Sequence, residues 1–300
     1  MNYLSIDVGG TNLKYALIDH AGNLIERHKL STPQDKTSFL AALDQIVDQY
    51  QGQIKGLAFC APGKIEDTTI HFGGALPFLD GVDLKAHFSQ LTIPIIGVND
   101  GKAAALAENW LGSLKGEQNC AAIVLGTGVG SGIIINGRLV PGVHYQAGEL
   151  SFINLNYQHR SFDDVYVGGI GSAVDMVKHI NQALGNEDET DGLAAFEAVN
   201  AGNPKAQTIL KKYCYGIATL IMNTQAVVDL DKYAIGGGIS AQPAVIEGIR
   251  EAYDQIYAEQ PLIQLTFTKP TIVAAKFNND ANLYGALYNL LLRVNGESLN

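Results

Sequence analysis

Two glycine-rich runs in this chain have the make-up of anion cradles: Asp7-Val8-Gly9-Gly10-Thr11-Asn12 and Gly126-Thr127-Gly128-Val129-Gly130-Ser131-Gly132. Glycine lets the backbone take positive φ and bring its amide N–H groups to an anion with no side chain in the way. Either run alone reads equally well as a hairpin with flexible glycines. Their surroundings, however, are duplicated. In the first copy residues 3–6 lead in, 13–18 lead out, and Ala21-Gly22-Asn23 turns into 24–27. In the second, 121–125 lead in, 133–135 lead out, and Asn136-Gly137 turns into 138–140. Both copies read strand, glycine loop, strand, tight turn, strand, and Asn-Gly is a strong hairpin signal. A matched pair of such loops points to a phosphate clamp. A third candidate is Asn99-Asp100, which ends the apolar run 93–98 and opens the alanine-rich stretch 101–111. A carboxylate at the end of a buried strand lies where α/β sheets bind ligands. It can orient a hydroxyl and accept its proton in phosphoryl transfer, or it can simply cap the helix, for which Asp is well suited.

Better-known glycine loops do not fit. A dinucleotide fingerprint opens a helix, whereas Gly126 to Gly132 carries glycine at every second position and runs into a β-branched strand. The nearest approach to a P-loop, Gly97 to Lys102, is one residue short, and Ala103 stands where Ser or Thr should hold a metal.

The elements that must position these residues alternate between the two periods. Residues 37–50 carry Phe39, Leu40, Leu43, Ile46 and Val47 at helical spacing, 54–60 read as a buried strand ending at Ala61-Pro62-Gly63, and 71–75 as an extended segment. Residues 82–91 and 101–111 are expected as helices around the strand 93–98. The second half is more helical, with helices expected over 169–184, 191–200, 204–228 and 245–257, strands at 233–235 and 271–274, and a closing helix at 282–294. Tyr213, Ile217, Leu220, Ile221 and Thr224 share one side of the longest helix, which suits core or subunit contact. Alternation of this kind makes α/β sheets. The break at 111–119 sets the expected domains at 1–115 and 116–281, with helix 282–294 packing back on the first.

Composition narrows the function classes. The chain has 300 residues, 47% of them hydrophobic, enough for sizeable cores. Lys plus Arg number 20 against 30 Asp plus Glu, a net charge of −10 with no basic run, so nucleic acid is not an expected partner. No apolar stretch approaches the ~20 residues that span a bilayer, and Met1-Asn2-Tyr3 enters a strand without a leader, so no membrane association and a cytoplasmic location are expected. Cys60, Cys120 and Cys214 lie far apart among apolar or small neighbours, as buried thiols do.

In their order and spacing, Asp7-x-Gly9-Gly10-Thr11, Ala61-Pro62-Gly63, Asn99-Asp100, Gly126-Thr127-Gly128-Val129-Gly130, Ala147-Gly148-Glu149 and Gly236-Gly237-Gly238-Ile239 resemble the ROK family of sugar kinases. The resemblance spans nearly the whole chain. It implies the two-domain actin/hexokinase-like (ribonuclease H-like) α/β fold, closing on ATP and sugar, with the duplicated strand triplets already read from the pattern. It places the catalytic base on Asp100 and sugar contacts on Gly63, Gly74, Ala75, Asn99, Glu149 and Phe152. It puts Asp7 beside the phosphates, orienting Mg2+ through water, because a hard cation keeps several waters. Gly9, Gly10, Thr11, Asn12 and Lys14 would hold phosphate from one side and Gly126, Thr127 and Gly128 from the other, while Gly236, Gly237 and Gly238 let adenosine lie against the backbone. Lys14 also reads as an exposed strand residue, and Glu149 as an exposed loop carboxylate. The expected assembly is a homodimer.

Departures from the family pattern bear on substrate more than on reaction. Most members follow the glutamate with a histidine three residues on and then a cysteine cluster holding structural zinc. Here Phe152 stands at the histidine position, and no cysteine lies between Cys120 and Cys214, so no zinc is expected. Gly73-Gly74-Ala75 replaces a stretch where many members carry a sugar-contacting asparagine. The pattern resembles the zinc-free subgroup with β-glucoside kinases, and the expected reaction is phosphorylation of the 6-hydroxyl of a hexose or β-glucoside. Phe152 as core filling is the plainer reading. Glucokinase and N-acetylmannosamine kinase are the alternatives within the class. Two further classes share the fold: a ROK transcriptional repressor, disfavoured by the acidic chain and by Asp7 so near the amino terminus, and an actin-like or chaperone-type ATPase, disfavoured by Asn99, Asp100 and Glu149.

Overall fold

In a computed structural model, residues 1–158 and 161–296 are described, without the side chains of Phe162, Asp164 and Asn278. The chain runs β1 (Asn2–Val8), β2 (Asn12–Asp19), β3 (Leu24–Ser31), α1 (Lys36–Tyr50), β4 (Ile54–Ala61), β5 (Lys64–Glu66), β6 (Thr69–His71), β7 (Val82–Asp83), α2 (Leu84–His87), β8 (Ile95–Asn99) and α3 (Asp100–Leu111). It continues with β9 (Cys120–Leu125), β10 (Val129–Ile135), β11 (Arg138–Leu139), α4 (Phe162–Val165), α5 (Val167–Ile170), α6 (Ala173–Leu184) and α7 (Gly192–Asn200). The remainder is α8 (Pro204–Val228), β12 (Lys232–Gly236), α9 (Pro243–Glu259), α10 (Pro261–Thr266), β13 (Thr271–Ala274) and α11 (Ala281–Val294). Two compact units result: residues 1–116, 132–148 and 279–300 form the first, and residues 117–131 and 149–278 the second.

In the first unit the sheet order is β3-β2-β1-β4-β8, with β2 antiparallel to β1 and β3 and with β1, β4 and β8 parallel. The turn from β2 to β3 closes because the Asp19 carboxylate accepts from the amides of Ala21 and Asn23, both at 2.9 Å. Beneath the sheet lie Phe39, Leu43 and Val47 of α1, at the helical spacing read from the sequence and buried against Leu4, Ile6 and Phe59. Helix α3 is buried from Gly101 through Glu108, and its alanines at 103–105 and 107 let neighbouring backbone approach. It packs on α11 so closely that a Cβ on Gly285 would stand 1.7 Å from the Ala103 carbonyl oxygen. α11 also meets β1, where Ser5 Oγ donates to the Leu283 carbonyl at 2.6 Å.

β10 starts in the second unit, and its end from Gly132, together with β11, falls in the first. The hairpin between β10 and β11 has Asn136 at φ 53° and Gly137 at φ 74°, the left-handed pair that an Asn-Gly turn provides. In the second unit β9, β12 and β13 are parallel neighbours. Tyr213, Ile217, Leu220, Ile221 and Thr224 of α8 are all buried within this chain, so that apolar side is core and not subunit contact.

Both strand triplets appear where the sequence puts them, but two expected helices are shorter. Residues 82–91 give strand β7 and then only the turn α2, because Val82 and Asp83 pair with β6 and the Asp83 carboxylate caps the amides of Lys85 and Ala86. Residues 169–184 split at Gly171, after which Ser172 Oγ starts α6 by accepting from Asp175 N. Among the described residues no helix is long and apolar enough to cross a membrane.

Candidate active site

Parallel strands that end together gather their last residues at one sheet edge. Register in the first unit aligns Asp7 with Cys60, Cys60 with Val98, and Ala61 with Asn99, so the first glycine loop, Ala61-Pro62-Gly63 and Asn99-Asp100 all leave the carboxyl ends of β1, β4 and β8. That edge is where open α/β sheets take ligands.

The first loop is a tight turn. Gly9 N donates to Asn12 O at 3.1 Å, Thr32 Oγ1 donates to Gly9 O at 2.6 Å, and Thr32 N donates to Thr11 O at 3.0 Å. Gly10 and Thr11 are left at the exposed tip, and a Cβ on Gly10 would lie 3.4 Å from that of Ala75. The loop and the 74–75 segment are therefore neighbours. Gly74 takes φ 59° against Pro62.

Asp7 is almost wholly buried, with a side chain 4% exposed. Its Oδ2 accepts from Lys14 Nζ at 3.1 Å, and its Oδ1 from Asn282 Nδ2 at 3.0 Å and the Cys60 thiol at 3.4 Å. Lys14 Nζ also donates to the Asn279 carbonyl at 3.0 Å. Lys14 is thus only 27% exposed and is bound to Asp7. Burial first, and then the charges of Asp7 and Asp100, push the Cys60 thiol well above its usual range and keep it protonated as a donor. Cys60 is the buried thiol expected from the sequence, but neither it nor Asn282 is recognisable there as a partner of Asp7. Asn282 lies 275 residues from Asp7, and in the sequence it is only the first residue of the expected closing helix.

Asn99, not Asp100, is the cap of α3. Its Oδ1 accepts from Lys102 N at 3.2 Å, while its Nδ2 donates to the Gly63 carbonyl at 2.9 Å. Asp100 is the first helical residue, half-buried, with Oδ1 accepting from Gly101 N at 2.7 Å. A negative charge there is also favoured by the helix N-terminus. Gly63 sits at φ 89°, and a Cβ on it would lie 1.8 Å from the Phe72 carbonyl oxygen. Lys102, buried on the next turn of α3, donates through Nζ to the Tyr145 carbonyl.

In the second unit Gly126 N donates to Gly128 O at 3.0 Å, closing the second loop with Thr127 exposed at its tip. The Gly126 carbonyl accepts from Ala173 N, at the start of α6. Gly236 pairs with Val124 across the parallel strands, and Gly237, at φ 94°, approaches so closely that a Cβ would stand 2.0 Å from Leu125 O. The two glycine clusters of this unit therefore leave adjacent strand ends, and Gly238 opens onto space with no atom within 4 Å of a Cβ there. Glu149 is half-buried ahead of a single 3-10 turn. Phe152, on that turn, is 63% exposed, which excludes it as core filling.

Asp7 fits a hydrated magnesium ion better than a directly bound one, since both of its oxygens already accept protein hydrogen bonds. All three cysteines are buried singly, and among the described residues no group of three or more His, Cys, Asp or Glu side chains could hold a metal ion.

The model of the ROK family matches residues 3–292. A β-glucoside kinase of Listeria monocytogenes is 26% identical over 301 residues, 98% of this chain and 99% of the relative. An N-acetylmannosamine kinase of Escherichia fergusonii is 29% identical over 310 residues, the whole of both chains. Among solved structures, a ROK family protein from Streptococcus pneumoniae in complex with sucrose superposes with a TM-score of 0.87 at 28% identity, covering 99% of this chain and 100% of that one. The fold is thus the actin/hexokinase-like one of the ROK sugar kinases.

Proposed function

The chain belongs to the ROK family and is an ATP-dependent sugar kinase, and from that premise we propose that it phosphorylates the 6-hydroxyl of a hexose or β-glucoside with Asp100 as the base. The observation that carries this reading is the division of labour at the start of α3. Asn99 Oδ1 is the cap of the helix, while the carboxylate of Asp100 accepts from Gly101 N and stands at the carboxyl edge of three parallel strands.

In the proposed reaction Asp100 orients the sugar hydroxyl and accepts its proton as the oxygen bonds to the γ-phosphorus of ATP and the bond to ADP breaks. Positioning and charge stabilisation supply most of the rate in such transfers. Gly63 and Asn99 hold each other through the 2.9 Å hydrogen bond, and each keeps polar capacity for sugar hydroxyls, as an amide nitrogen has two protons and a carbonyl oxygen two lone pairs. Gly74 and Ala75 line the sugar side, and Glu149 binds sugar. Gly9, Gly10, Thr11, Asn12 and Lys14 serve the phosphates, as do Gly126, Thr127 and Gly128, and Gly236 to Gly238 receive the adenosine. Asp7 would hold hydrated Mg2+, which when bound would neutralise charge on the phosphates. The enzyme works as a homodimer without zinc.

The β-glucoside preference rests on exposed Phe152, an apolar face where a histidine would demand a hydrogen-bonding partner at the anomeric end. It is supported by the Listeria relative. ADP release measured with glucose, N-acetylmannosamine, methyl β-glucoside and cellobiose tests it. The expected result is a kcat/KM for the β-glucosides at least equal to that for glucose, shifting toward the free sugar in Phe152→His. A tenfold preference for unsubstituted glucose or N-acetylmannosamine, about 1.4 kcal/mol, overturns the β-glucoside reading and leaves the kinase. Absence of ADP release with any sugar overturns both.

A further inference from the structure

Phe72 combines two costs that an incidental surface residue would not carry. It is 75% exposed, and its backbone lies at φ 50°, in the left-handed region that glycine and asparagine adopt and bulky side chains avoid. Glycine or asparagine there would relieve both. The conformation is held from several sides. Lys64 and His71 are the last pair of the β5-β6 hairpin, so Gly63 and Phe72 face each other one step beyond it. The Phe72 amide donates to Asp80 Oδ1 at 3.0 Å, and its carbonyl oxygen fills the space that a Gly63 Cβ would need. Behind it, Leu76 N closes a turn onto Gly73 O at 2.9 Å, and Leu76 and Leu79 are fully buried. A backbone so over-determined presents the ring on a rigid mount, and strain kept in this way marks a working position. The mount is also joined to the reaction centre, because Gly63 O accepts from Asn99 Nδ2 next to Asp100.

Resting on the kinase reading above, we propose that Phe72 is a specificity-determining platform for the ring of a glycoside's aglycone. Phe72 is exposed while Asp100 is half-buried at the strand ends, so in this proposal the ring meets the outer substituent of the glycoside and not the reacting hydroxyl. Phenylalanine has no hydrogen-bonding group, so it reads an apolar ring face, aromatic or pyranose, and not a hydroxyl pattern. An open-chain or methyl aglycone gains little from it.

Phenyl β-glucoside and methyl β-glucoside differ at this point only. The test compares the full-length wild type with Phe72→Gly, Phe72→Leu and Phe72→Trp, reading kcat/KM for both glycosides and for glucose, and binding of both glycosides by titration calorimetry. Expected is an about three- to tenfold loss for phenyl β-glucoside in the Gly and Leu variants, recovery in Trp, and changes within about twofold for the other two sugars. Phe72→Gly should unfold no earlier than wild type, since glycine suits φ 50°. Equal losses for all three sugars, no loss, or a change of oligomeric state in place of a substrate shift overturns the proposal. If the wild type phosphorylates no sugar, the kinase reading fails alone. The calorimetric preference for the phenyl glycoside, lost or kept in Phe72→Gly, then decides Phe72.

Discussion

Replacing Gly63 by alanine adds one methyl group, and its cost can be worked against a matched control. Gly52 and Gly63 both have positive φ, 79° and 89°. A Cβ on Gly52 meets nothing within 4 Å, whereas one on Gly63 falls 1.8 Å from Phe72 O and 2.6 Å from His71 O. Gly52→Ala therefore carries only left-handed strain of about 1–2 kcal/mol, offset by about 0.4–1 kcal/mol from restricting the unfolded chain. Gly63→Ala carries the same strain plus a clash with backbone. The hairpin end must move by more than an ångström, or the Gly63 peptide must turn and release Asn99 Nδ2 from its carbonyl. Losing that hydrogen bond adds about 1 kcal/mol, and displaced backbone more, for an expected total above about 3 kcal/mol. Because Asn99 precedes Asp100 and caps α3, kcat/KM for sugar should fall about tenfold or more while ATP affinity stays within about twofold. Urea and thermal unfolding with steady-state kinetics on both variants are the assay. If Gly63→Ala matches Gly52→Ala in stability and in sugar kinetics, the coupling from hairpin through Gly63 to Asn99 is wrong.

Two other outcomes follow from the buried carboxylate and the cysteines. Lys14→Met removes the opposite charge bonded to Asp7 and should cost about 1–3 kcal/mol, less than a fully buried pair because Lys14 is 27% exposed. Thermal unfolding several degrees earlier and reduced turnover at saturating sugar are expected; an unchanged melting temperature would refute it. Dialysis against a chelator should leave fold and, once magnesium is restored, activity intact, since structural zinc contributes folding energy outright. Elemental analysis finding about one tightly held zinc per chain contradicts this.

Local signals made much of the fold legible, and distance hid the rest. The strand triplets could be read because Asn136-Gly137 and Ala21-Gly22-Asn23 demand turns and their flanks are strand-like. Helix α1 showed in its apolar spacing and is capped by Asp35. Helix ends were read poorly, because apolar residues continue past the point where a polar side chain decides. Asp83 starts α2 only after a strand pair, Ser172 starts α6 after Gly171, and Asn99 takes the cap that either Asn99 or Asp100 could supply. α10 was missed, as its six residues bury none of their side chains. The partners of Asp7 were unreadable for another reason. Cys60 and Asn282 reach it only after parallel pairing and the return of α11, contacts that no local pattern encodes.

Asp100→Asn tests the catalytic role of this carboxylate most directly. With Asn99 as the cap and the introduced amide oxygen still able to accept from Gly101 N, the substitution should leave α3 folded, costing about 0.3–1 kcal/mol of helix-end electrostatics plus the weakening of that charge-assisted hydrogen bond. It should lower kcat for sugar phosphorylation by about 10²–10⁴-fold, with nucleotide affinity within about twofold of wild type. Near-normal turnover in a folded Asp100→Asn protein would contradict the assignment of this carboxylate as the base.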